Sequence, residues 1–163
     1  MNAMEFGYDR RPVLINMIVW AVAVLWLLLL LFFMFPEQRA LYIMTIGSLA
    51  AIALVIVGVS PLLTSHEISD GKIIVRQGWH SHLAVPVKQV KRVQRLESIE
   101  AKEGVLFDAF SGTLVLTDSR SKGIRLELRD EMRVPTALWK KVKVVIFDVD
   151  DPDRFVAELE RSL

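Results

Sequence analysis

The sequence predicts a membrane protein of the α+β class. It reads as a two-helix transmembrane hairpin followed by a small, bent antiparallel sheet of about seven strands, capped by a C-terminal helix. Three observations carry this expectation. The stretch from Val13 to Leu63 is apolar and broken only at Pro36-Glu37-Gln38-Arg39. The residues after it alternate between apolar and polar with the period of a half-buried strand. The chain then closes on Asp151-Pro152 and a helical stripe of Phe155, Val156 and Leu159.

The apolar run comes first. Val13 to Phe35 carries no charge, and at ~1.5 Å per residue it reaches ~35 Å, enough for a ~30 Å hydrocarbon core. Leu41 to Val59 is also uncharged and reaches ~28 Å. Buried core helices rarely run so far without a charge on any face. A cleaved signal peptide with Arg10 and Arg11 as its charged flank would have a shorter apolar region and no second run behind it. The short connection makes the two helices antiparallel neighbours. Of the twenty lysines and arginines, two precede the first run, Arg39 lies in the connection and the rest follow. The positive-inside rule therefore predicts both termini in the cytoplasm and a multi-pass protein of the cell (inner, cytoplasmic) membrane. The expected layout is a cytoplasmic segment at 1–12, the hairpin at 13–63 with spans at about 13–35 and 41–59, and a cytoplasmic domain at 66–163.

The two apolar runs differ in kind. The first is bulky, and its Trp20 and Trp26 lie inside the span, where they read as packing residues. The second carries Gly47, Ala51 and Gly58 on one helical face. Such a face allows close helix approach in lipid. It serves either packing within the hairpin or a seam for another membrane subunit or a second copy. Asn16 is the only amide within the spans and reads as an interfacial, solvated group. Ser60 to Ser65 is a short link in which Pro61 ends the second helix, so the domain stays near the membrane surface.

In the domain, Asp70-Gly71 is a two-residue hairpin signal between His66–Ser69 and the β-branched stretch Lys72 to Gln77. Gly78-Trp79 marks a bend. His80 to Val87 is extended, with Pro86 at an edge or strand end. Val90 to Leu96 alternates. Glu97 to Gly112 loses the pattern and reads as a loop or extended hairpin tip. Thr113 to Thr117 and Gly123 to Arg129 are strands, the second with Ile124, Leu126 and Leu128 on one face and Arg125, Glu127 and Arg129 on the other. Asp130 to Lys141 reads as an irregular connection, Val142 to Val149 as the last strand. Asp151 is the N-cap of the final helix.

Composition excludes several chemistries. The chain has 163 residues and no cysteine, so disulfides, thiolate metal sites and cysteine nucleophiles are out. Its net charge is +1, without the global basic field of nucleic-acid binders. There is no phosphate loop, dinucleotide fingerprint or nucleophile elbow. His80 and His82 fall on one strand face, but no third ligand has recognisable spacing. Asp148, Asp150, Asp151 and Asp153 lack the glycine and glutamate of a calcium loop and fit a strand end and helix N-cap. No cofactor, metal, nucleic acid or small-molecule substrate is expected.

Three candidate surfaces remain. Between Gly71 and Leu96 lie Lys72, Arg76, Lys88, Lys91, Arg92 and Arg95 with no acid among them. This is either a solvated sheet face or one that binds a partner or the anionic headgroups of membrane lipid. The second surface is the Gly47, Ala51 and Gly58 seam. The third is the apolar set Leu106, Phe107 and Phe110, which either covers the core from a long hairpin or offers a tip to a partner or the bilayer. Trp79 and Trp139 read as core or rim packing.

The ordered set of these pieces resembles the bacterial and archaeal pleckstrin-homology-like proteins, the membrane-flanked domain group. The matching pieces are the hairpin running into the domain and Asp70-Gly71-Lys72-Ile73-Ile74-Val75-Arg76-Gln77-Gly78-Trp79, continued by Val85-Pro86-Val87-Lys88-Gln89-Val90-Lys91-Arg92-Val93. The last is Asp148-Val149-Asp150-Asp151-Pro152-Asp153-Arg154-Phe155-Val156-Ala157-Glu158-Leu159. The resemblance implies a seven-stranded bent sheet with a capping helix, no enzyme activity, and a role in protein–protein contacts and oligomerisation. The expectation for function is a non-enzymatic, membrane-anchored interaction module, a scaffold, accessory subunit or assembly factor of a membrane complex, with anionic-lipid binding through the basic face as the alternative.

Overall fold

The computed structural model describes residues 4–7, 10–79 and 81–162. Its order is a short strand β1 (Met4–Phe6), helix α1 (Arg11–Met34), a 3-10 turn (Pro36–Gln38) and helix α2 (Arg39–Ala53). The second helix continues through a π-helical stretch (Leu54–Val59) and one last turn (Ser60–Leu62). Strands β2 (His66–Ser69), β3 (Lys72–Gln77), β4 (Ser81–Pro86), β5 (Val90–Leu96), β6 (Gly104–Asp108), β7 (Thr113–Thr117), β8 (Gly123–Val134) and β9 (Lys140–Asp148) follow, then helix α3 (Pro152–Ser162).

Both long helices are long and apolar enough to cross a membrane, and no residue in the most apolar window of either is buried. A soluble core helix would bury that surface. Here Trp26, Phe33 and Met44 are among the most exposed apolar side chains. The helical end lies beyond the predicted Val59. Pro61 sits within the final turn and donates no backbone N–H there, while the Ile56 carbonyl one turn back accepts from Ser60 Oγ. That leaves Leu63–Ser65 as the link, half the length expected. The link is pinned: the Trp79 N–H donates to Ser60 Oγ (3.3 Å) and the Gly78 N–H to Thr64 Oγ1 (3.1 Å). The domain is thereby fixed to the end of the second helix by two hydroxyl groups, both on buried residues.

The domain has two sheets, ordered β1-β2-β3-β4 and β5-β8-β9-β7-β6. Four features depart from the expected seven antiparallel strands. Met4–Phe6, before the first helix, pairs with β2, and Phe6 is buried against Phe155 at 5.0 Å between ring centroids. The patternless stretch contains β6, an edge strand on β7. Its exposed face alternates poorly because an edge strand packs on one side only. The irregular connection is the second half of β8, which bulges between Glu127 and Met132 and then pairs Met132–Val134 with Lys140–Val142. A bulge breaks the period of two and so hides the strand. One neighbour pair, β7 with β9, is parallel.

The expected hairpin at Asp70-Gly71 is present, both residues with positive φ (49° and 69°), as a two-residue turn demands. The alternation of β8 also holds, with Ile124, Leu126 and Leu128 buried. So does the stripe of α3, whose Phe155 and Leu159 are fully buried. The Arg154 N–H donates to Asp151 Oδ1 at 3.0 Å, which caps that helix. The core lies between the sheets, with Ile73, Val75, Leu83 and Val85 on one side and Leu114, Leu116, Leu126, Val145 and Phe147 on the other.

Candidate functional site

A groove of about 800 Å³ lies between the two long helices and ends on the domain. One wall is the α1 face that carries Val13, Met17, Trp20, Val24 and Leu28. The other carries Gly47, Ala50, Ala51, Leu54, Val57 and Gly58. Its foot is polar: Asn16 from α1, Gln77 from the end of β3, Glu103 with Gly104 at the start of β6, and Asp118 after β7. The predicted seam of Gly47, Ala51 and Gly58 thus lies along one groove, but its members differ. A side chain at Gly58 would meet Met17 Cγ at 3.1 Å, whereas at Gly47 nothing stands within 4 Å. Gly58 lets the two helices touch; Gly47 faces open space.

Beneath the foot is a buried polar cluster. The Gln77 amide nitrogen donates to Asp118 Oδ1 (2.6 Å) and to the Thr117 carbonyl (3.3 Å). Both neighbours are acceptors, which fixes nitrogen on that side and leaves Gln77 Oε1 without a partner among the described residues. The Asp118 N–H donates to Asp148 Oδ1 at 3.3 Å, and Asp148 Oδ2 has no partner among the described residues. Asp148 is 2 % exposed. Burial, and then the charge of Asp118, push its carboxyl up to about 7. Next to it, His66 Nε2 contacts the Asp148 carbonyl at 2.8 Å, and the Arg76 N–H donates to His66 Nδ1 at 3.2 Å. A carbonyl only accepts, so the proton sits on Nε2 and the ring is neutral. Burial lowers the His66 pKa to about 4, against the raising effect of that hydrogen bond. The ring also stands edge-on to Phe147 at 5.1 Å.

Sequence reasoning singled out none of Gln77, Asp118, His66 and Asp148 as a group. The only available signal was polar residues at inward positions of otherwise apolar alternation, as His66 and Gln77 are in β2 and β3.

The six predicted basic residues do not share one face. Lys72 and Arg76 are on β3, in the first sheet, and Lys91, Arg92 and Arg95 are on β5, in the second. Arg76 pairs with Glu67 (3.5 Å), and Arg95 with Asp153 (2.7 Å) and Glu97 (3.1 Å). Lys72 lies opposite Pro86, two residues before Lys88. Lys72, Lys88, Lys91 and Arg92 are exposed.

Of the apolar set, Phe107 packs on the core, under Lys140 Nζ at 5.3 Å. Leu106 is partly exposed, and Phe110 at the β6–β7 turn is fully exposed. Trp79 and Trp139, expected to pack, are 59 % and 65 % exposed. The reason at Trp139 is local: Leu138 and Trp139 both take left-handed backbone (φ 54° and 61°), which turns both side chains outward. Trp20 and Trp26 are exposed as well, Trp20 on the wall of the open groove. His80 lies outside the described residues. Among the described residues no group of three metal-ligating side chains comes together.

No protein-family model matches this chain, and no curated protein or solved structure does.

Proposed function

We propose that this chain is a non-enzymatic interaction module anchored in the cytoplasmic membrane by its two long helices. The sheet domain is held at the cytoplasmic face and acts as a scaffold, accessory subunit or assembly factor of a membrane complex. The observation that carries the reading is the pairing of two unburied apolar helices with a domain hydrogen-bonded directly to the end of the second. Apolar surface on that scale needs lipid or protein around it. The link is too short and too well tied for the domain to leave the surface. Outside the helices, Trp79, Phe110, Leu138 and Trp139 are exposed, and aromatic anchors of this kind are what partner interfaces use. The resemblance to pleckstrin-homology-like domains supports the same reading, with nine strands and a parallel pair as additions to that plan.

Purification of the full chain in mild detergent, with the size and composition of what accompanies it, tests the proposal. A defined complex or homo-oligomer is expected, and it weakens when Trp139 is changed to Ala. A lone monomer under all mild conditions refutes it. The second reading, binding of anionic headgroups, rests on the exposed group Lys72, Lys88, Lys91 and Arg92. Neutralising these four should then abolish the preference of the full chain for anionic over neutral lipid in mixed micelles. No preference at low salt in the unaltered protein rules that reading out.

A further inference from the structure

We infer that Leu63 and Trp79, at the rim where the domain meets the helices, form a docking surface for the headgroup layer of the bilayer. The domain then lies on lipid instead of standing off it. This rests on the membrane anchoring proposed above and adds which side chains of the rim meet the lipid.

The depth of Ser60 decides the matter. From Arg39 to Ser60 the helical path rises ~32 Å at ~1.5 Å per residue, against a hydrocarbon core of ~30 Å. A modest tilt of the helix removes the difference. With the Arg39 charge at one boundary, Ser60 therefore reaches the other. Arg11 stands at that second boundary too, since Val13 to Phe35 carries no charge. Each headgroup layer beyond the core is ~5–7 Å thick. The Trp79 N–H donates to Ser60 Oγ at 3.3 Å, which sets the Trp79 backbone at the inner edge of that layer. Leu63 lies ~4.5 Å of helical rise past Ser60, within it. Further ties hold this depth. The Gly78 N–H donates to Thr64 Oγ1 at 3.1 Å, and the Asp150 N–H to the Gly7 carbonyl at 3.0 Å, ahead of the first helix. Both helices are thus joined to the domain at one rim.

The pattern of burial on the rim points the same way. Ser60 and Thr64 are buried, while Leu63 and Trp79 are exposed. A segment that encloses its hydroxyl groups and turns its leucine and tryptophan outward suits apolar surroundings. An indole has an apolar body and one N–H donor, and it settles where hydrocarbon gives way to polar heads. Of the exposed side chains outside the helices, Trp79 goes to lipid, and Phe110, Leu138 and Trp139 stay available to a protein partner.

The test uses the full chain with three tryptophans changed to Phe, leaving either Trp79 or Trp20 as sole fluorophore. All four tryptophans are exposed, so the core is untouched. The protein is reconstituted in phosphatidylcholine vesicles whose chains carry bromine near the headgroup or near the chain end. Trp20 lies ~14 Å of helical rise from Arg11, close to the midplane of a ~30 Å core. Trp79 should lose most of its emission to the shallow bromine and little to the deep one, and Trp20 should do the reverse. A nitroxide on Leu63→Cys, the sole thiol in a chain without cysteine, should be reached by oxygen dissolved in lipid before a water-soluble nickel chelate. Trp79 that escapes both bromines while Trp20 is quenched overturns the inference, gives the rim to water or protein, and leaves the anchoring intact. A Leu63 label reached first by the chelate, or Trp79 quenched best by the deep bromine, overturns it as well. Failure of both bromines to quench either tryptophan defeats the inference and the anchoring together.

Discussion

Changing Asp148 to Asn should reshape the pH dependence of stability in a way that reports on two buried groups at once. Asp148 has its pKa raised from 3.8 to about 7. Below pH 4 the folded and unfolded chains both hold this proton. Between pH 4 and 7 the unfolded chain releases it and the folded chain keeps it, so folding loses ~1.4 kcal/mol for each pH unit gained. The whole window is worth about 4 kcal/mol, and above pH 7 the cost is constant. His66, lowered from 6.5 to about 4, acts in the opposite sense. Its neutral ring stabilises the fold fully above pH 6.5, and that stability, about 3 kcal/mol at the same rate per unit, is lost as the pH falls to 4. In the parent protein the two nearly cancel between pH 4 and 6.5. Asparagine cannot titrate, so the Asp148→Asn variant loses the Asp148 slope and exposes that of His66. Urea unfolding of the full chain in mild detergent, followed by domain tryptophan fluorescence at steps from pH 4 to 8, measures this. The stability difference, parent minus variant, should fall by about 4 kcal/mol from pH 4 to pH 7 and then level off. Parallel profiles across that range would show that Asp148 ionises normally and would refute the account of the buried cluster.

Other consequences are simpler. Gly58→Leu should lower the melting temperature, since its Cβ would stand 3.1 Å from Met17 and 3.3 Å from Leu54; overpacking of this kind costs ~1–3 kcal/mol. Gly47→Leu, with open space around it, should leave the melting temperature unchanged, and a comparable drop in both would contradict the difference drawn between the two glycines. Phe155→Ala removes a fully buried ring that touches Phe6 and Phe147 and should cost ~3–5 kcal/mol in urea unfolding. Ser60→Ala with Thr64→Ala should speed proteolysis within 63–65 and leave the sheet signal in circular dichroism unchanged, because only the ties between helix end and domain are lost.

The local features that were legible in the sequence share a cause. The apolar runs, the Asp70-Gly71 turn, the strict alternation of Ile124 to Arg129 and the Asp151 cap are each set by neighbours a few residues away, and period and turn chemistry report such interactions directly. β6, the far half of β8 and the N-terminal strand were not legible. An edge position, a bulge and a strand of three residues each erase the period that identifies a strand. The groove was half legible: helical spacing places Gly47, Ala51 and Gly58 on one face, but spacing cannot say that Gly58 meets Met17 while Gly47 meets nothing.

The sequence by itself determined that this chain pairs two long apolar helices with a small sheet domain and a capping helix, because hydrophobic pattern and length are properties of the chain alone. Only the tertiary structure decided which polar groups are enclosed. Residues 66, 77, 118 and 148 are far apart in the chain, and it is the packing of β2, β3, β7 and β9 that brings them together under the foot of the groove. The same packing removes water from His66 and Asp148, and that desolvation sets their protonation. Ion pairing was settled at that level too. The basic residues divide between two sheets, and Arg76 and Arg95 find acids that no local pattern joins to them.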